Sequence, residues 1–201
     1  MIAEFFWDIF QPIYDGGWVM APLFVLGLLM YGLGFYLLFA LLPVKATKVS
    51  DAQCRDWVAN PNLAKGQLRE ILEYTTVGVT TIEGVQERFE EIRLNEIPKI
   101  NVNISVLVVM VAAAPLLGLL GTVLGMLTTF QGLAAGGAEK TTSLVADGIR
   151  VALITTEMGL FLAIPGTFLV YVVRSMRNGF LRLLVRLESF ALQRIKERSA
   201  A

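Results

Sequence analysis

The chain has 201 residues, 55% of them hydrophobic and 17% charged, with 17 basic and 17 acidic side chains and a formal net charge of zero. A balance this apolar excludes an ordinary soluble domain, and the zero net charge offers nucleic acid no basic footprint. With no histidine and one cysteine, Cys54, histidine catalysis, a His/Cys metal site and an internal disulfide are excluded too, and Cys54 reads as a free thiol.

Residues 1–15 hold no basic residue and carry Glu4, Asp8 and Asp15. A cleavable signal needs a positive start, so the first span is expected to be retained. Phe5, Phe6, Trp7, Ile9 and Phe10 predict an amphipathic helix at the outer interface, ending near Pro12, or a segment packed on a partner. Residues 16–43 predict the first transmembrane helix. It is uncharged and apolar almost all round, which suits a lipid-facing anchor, and its glycines allow neighbours to pack close.

Residues 44–102 form a polar segment with eight basic residues. Asn60, Pro61 and Asn62 signal a turn and a helix start. Beyond them Leu68, Ile71, Leu72, Val79, Ile82, Val85, Phe89 and Ile92 recur at helical spacing and predict one or two amphipathic helices, weakened locally at Gly78 and Gly84. Pro98 is expected to kink or interrupt the helix just before the membrane.

Residues 103–131 and 144–173 predict the second and third transmembrane helices, each longer than the roughly 20 apolar residues a bilayer requires. Residues 132–143 are expected to be a short external loop. Residues 174–201 carry seven basic side chains and an apolar stripe from Phe180 to Ile195, predicting a helical extension of the third span. Because basic residues collect on the cytoplasmic side, the N-terminus is expected outside, and the 44–102 segment and the tail inside. The expected fold class is therefore an all-α membrane protein, with three transmembrane helices extended by cytoplasmic helices.

The second span carries Thr122 and the third carries Thr155, Thr156 and Glu157. Counting from the outer helix ends, antiparallel packing brings these to one level, about 12 Å deep at the helical rise per residue. A carboxylate at membrane depth costs roughly 2.5–3.5 kcal/mol on insertion scales and marks a functional candidate. Glu157 could be buried and neutral, paired with a basic group of its own or another subunit, or placed on a hydrated ion path. Small residues at Ala114, Gly118, Gly121 and Gly125, and at Ala152, Gly159 and Ala163, predict close helix packing. The threonine hydroxyls can satisfy themselves by bonding back to a carbonyl one turn earlier. A three-span molecule cannot enclose a pore alone, whereas a ring of copies could.

Two stretches carry a resemblance: G-L-L-G-T-V-L-G-M over residues 118–126, and G-I-R-V-A-L-I-T-T-E-M-G-L-F-L-A-I-P over 148–165. Together they resemble the MotA/TolQ/ExbB proton-channel family, closest to its ExbB branch, and G-G-W-V-M-A-P-L over 16–23 resembles the opening of short ExbB-like proteins. The resemblance implies an inner-membrane pentamer around a dimer of a single-span partner of ExbD or TolR type, whose aspartate carries the ion. It implies no cofactor beyond that ion, a proton before sodium. Proton motive force would then drive a TonB-type protein for outer-membrane uptake of iron chelates or vitamins. The family's two partner-facing threonines map onto Thr122 and Thr156. The usual family glutamate, five residues before the second threonine, is Val151 here. Glu157 lies six positions on, turned by about 240° on a helix, so the usual glutamate's role does not transfer to it. Other roles the pattern allows are TolQ-like envelope constriction, MotA-like motility and a non-conducting scaffold. No nucleophile–base pair or cofactor loop points to an enzyme.

Overall fold

The computed structural model describes residues 16–42, 49–64, 66–134 and 138–200, and every regular element among them is helical. The interfacial helix expected over residues 1–15 lies outside them. In chain order the elements are α1 (Met20–Leu41), α2 (Asp51–Ala59), a 3-10 turn (Pro61–Leu63), α3 (Gln67–Thr76), α4 (Ile82–Ala134) and α5 (Ala138–Ala200). Three of these helices, α1, α4 and α5, contain windows long and apolar enough to cross a membrane.

Two expectations are corrected. α4 is not interrupted at Pro98 and runs 53 residues, through Pro115 as well. Proline removes one N–H, and the carbonyl it frees belongs to Leu94, which is 71% exposed and can be solvated. Ile97 and Ile100 pack on the same core as Phe89 and Ile92, so burial continues on both sides of the proline. The expected loop over 132–143 is largely helical, because α4 reaches Ala134 and α5 begins at Ala138. Alanine, glutamate and lysine, the strong helix formers around this junction, extend both helices where the glycines suggested a loop.

The chain divides into two compact units. The first comprises the described parts of residues 1–34 together with 106–170. Its core holds Leu23 and Met30 of α1, Leu107, Val111 and Ala114 of α4, and Ala152, Ala163 and Val170 of α5. The Tyr31 hydroxyl donates to the Leu162 carbonyl at 2.9 Å, so the polar end of this α1 side chain is satisfied inside the span.

The second unit comprises the described parts of residues 35–105 and 171–201. Here α2, α3 and the flanking parts of α4 and α5 bury Val58, Leu72, Val85, Phe89, Leu183, Leu184 and Leu187 around Cys54. α2 starts with a cap: the Ser50 N–H donates to Gln53 Oε1 at 3.2 Å. α3 ends where Gly78 adopts φ +75°, a left-handed conformation that glycine adopts without steric cost. Arginines then tie the tail helix down. Arg194 donates to the Val58 carbonyl at 2.5 Å, Arg186 bonds Asp51 and the Val49 carbonyl, and Arg93 pairs with Glu188.

Candidate functional site

The site is built on the seam where α4 and α5 run antiparallel within the first unit. It follows from a row of residues too small to hold the backbones apart. A Cβ added to Gly118 would lie 2.8 Å from the Thr155 carbonyl oxygen, and one added to Gly159 would lie 2.8 Å from that of Ala114. The same test places a Cβ on Gly125 2.5 Å from the Gly148 carbonyl oxygen, and one on Gly121 2.3 Å from Thr155 Oγ1. Main chain therefore packs on main chain through three helical turns. Ala163 is buried further along the same helix.

The hydroxyls sit on this seam in three ways. Thr155 is fully buried against Gly121, and its Oγ1 donates to the Val151 carbonyl at 2.9 Å. Thr156, half-buried, donates to the Ala152 carbonyl at 3.2 Å and approaches the Gly118 carbonyl of the facing helix at 3.4 Å. Thr122, also half-buried, donates to the Leu119 carbonyl at 2.7 Å. Each hydroxyl proton is satisfied by backbone, so each oxygen keeps its acceptor capacity. Since Thr155 packs on Gly121, Thr122 and Thr156 lie within about a turn of the same level. Glu157 is exposed on the protomer and makes no hydrogen bond or ion pair among the described residues.

The seam extends beyond the residues singled out from sequence. Gly148 meets the Thr129 methyl, where an added Cβ would be 2.5 Å away, and Gly132 packs against Leu144. The signal was available for Gly148, which continues the small-residue row of Ala152 and Gly159 one turn back. The same face of the problem appears on the outside of the spans. Leu116, Val123, Phe130, Leu153, Phe161, Ile164 and Phe168 are all well exposed on the protomer, an apolar surface suited to lipid or to other helices.

A multi-pass helical membrane protein with a glycine-and-threonine seam and an exposed carboxylate at membrane depth is the class these features define. The sequence profile of the MotA/TolQ/ExbB proton channel family matches residues 59–184. The chain belongs to that family, one of proton channels rather than enzymes. A putative biopolymer transport protein ExbB homolog from Methanothermobacter thermautotrophicus is 30% identical over 183 residues, covering 81% of this chain and 62% of that protein. The Aquifex aeolicus biopolymer transport protein ExbB is 29% identical over 57% of this chain and 88% of its own length. The Tol-Pal system protein TolQ of Pseudomonas aeruginosa is 38% identical over 42% of this chain and 36% of its own. The Methanothermobacter and Pseudomonas proteins are thus matched over less than two thirds of their length. No solved structure matches the chain.

Proposed function

We propose that the chain is the ring-forming subunit of an ExbB-type motor in the bacterial inner membrane, with its N-terminus periplasmic and its tail cytoplasmic. A pentamer would surround two copies of an ExbD-like single-span partner and pass protons, with no other cofactor, to drive a TonB-like protein in nutrient uptake. One observation carries this reading. Thr122 and Thr156, from oppositely directed spans, lie near one level with free acceptor oxygens, and the neighbouring Glu157 is exposed and has no partner among the described residues. Such oxygens suit water or a partner's carboxyl group inside a bundle. Thr155 would hold the seam beneath them. The membrane field supplies about 2.3 kcal/mol per charge per 100 mV, enough to bias a protonation-gated step.

The test is proton-driven uptake of a ferric chelate in cells carrying Thr122→Val and Thr156→Val. Valine keeps the shape and removes the oxygen. Uptake should fall at least about tenfold in each, the factor that about 1.4 kcal/mol carries, with the protein still present in the membrane; normal uptake in both would overturn the proposal. The TolQ relative supports a second reading, an envelope-constriction motor. In that case the same variants would leave uptake intact and make the envelope leaky to detergent.

A further inference from the structure

A cavity of about 180 Å³ within the second unit joins two chemistries. Tyr36 and Leu41, on the last turns of α1, form its apolar side. Glu96, Lys99 and Asn103, on one face of α4, and Gln67, at the start of α3, form its polar side. Its position along the chain is telling. α1 carries no charge, and α4 carries none from Val102 to its end. The cavity thus opens where apolar span gives way to polar chain.

The polar side is partly occupied and partly open. Lys99 Nζ donates to Glu96 Oε1 at 3.1 Å, and Gln67 Nε2 donates to Glu96 Oε2 at 3.5 Å. The Lys99 side chain is 71% exposed and retains further N–H donors. The Asn103 amide makes no hydrogen bond among the described residues. One cation, one anion and a spare amide therefore face a wall of apolar side chains.

We propose that this cavity binds the headgroup of an ethanolamine-type phospholipid. The phosphate meets Lys99 and the Asn103 amide, the ammonium donates to Glu96, and an acyl chain runs along Tyr36 and Leu41. Charge complementarity selects this occupant. An anionic headgroup brings a second negative charge to Glu96, and a choline headgroup has no N–H to donate to it. The lipid, unlike a soluble phosphate, also uses the apolar wall. The site rests on the membrane reading of α1 and α4, and under the orientation proposed above it faces the cytoplasmic leaflet.

The test is native mass spectrometry of the full-length assembly, purified in detergent and mixed with phosphatidylethanolamine, phosphatidylcholine or phosphatidylglycerol. The ethanolamine lipid should be retained in preference to the other two. Glu96→Gln, at a half-buried carboxylate, and Lys99→Ala, at an exposed ammonium, should each lower that retention about fivefold, the scale of one such ion pair. Soluble glycerophosphoethanolamine should fail to displace the lipid. Equal retention of the three lipids, unchanged retention in both variants, or displacement by the soluble headgroup would each overturn the proposal. Retention is blind to orientation and to conduction, so failure here is distinct from failure of the motor reading, and a chain that needs no detergent would refute the membrane reading itself.

Discussion

At Gly125 and Gly148 the α-carbons are so placed that a single methyl group on either would collide with the main chain opposite. Alanine normally stabilises a helix relative to glycine by up to about 1 kcal/mol. Here that gain is reversed, because the obstacle is backbone and cannot swing away. Gly125→Ala and Gly118→Ala are expected to destabilise the membrane unit by about 1–3 kcal/mol, the usual cost of overpacking. Gly32→Ala, where nothing lies within 4 Å, should be neutral or slightly stabilising. Helicity followed through a denaturing-detergent titration checks the order. The seam's existence was legible from the four-residue spacing of small residues. Which of two adjacent threonines it buries was not. Thr155 and Thr156 differ by about 100° of rotation, and only the position of Gly121 on the facing helix settles that Thr155 goes inside.

The elements show where local signals compete. The three spans were readable because apolar residues dominate each of them, and the charges of the third, Asp147, Arg150 and Glu157, are too few to mask that pattern. Helix α2 announces itself in Ser50 and Gln53, a capping pair that sequence reasoning passed over inside a stretch read only as polar. The unbroken course of α4 was not readable, since Pro98 argues for a stop and only the packing of Ile92, Ile97 and Ile100 outweighs it. Cys54 belongs to this scale, because α2 buries it completely. Burial pushes the thiol's pKa up, and the nearby Arg186 offsets this only in part. A thiol whose folded pKa lies above its unfolded one contributes stability that is full below the unfolded value and is lost as pH rises through the folded one. Cys54→Ala should therefore flatten the decline in thermal midpoint of the second unit as pH rises past the ordinary thiol value of about 8.5. In the wild type, maleimide should label Cys54 only on unfolding, read by mass; rapid labelling of the native protein would contradict the burial.

For the whole molecule, the exposed Leu116, Val123, Phe161, Ile164 and Phe168 set the expectation that the chain extracts only with detergent and associates within the membrane. Co-expression with a single-span neighbour, followed by native mass measurement, should give five copies of this chain to two of the partner; a lone protomer would remove the basis for the motor. The packing of α4 on α5 adds a constraint on where ions can travel. At Gly118 and Gly159 the main chains approach too closely to admit a water of about 1.4 Å radius between them, so no hydrated wire can run along the α4–α5 seam of a single copy. In the motor proposed above, the ion path would then lie at the boundaries a copy shares with its neighbours or its partner. Mixing functional chains with assembly-competent chains that carry Thr122→Val and Thr156→Val should accordingly abolish current in whole complexes at a time, rather than reduce it in proportion.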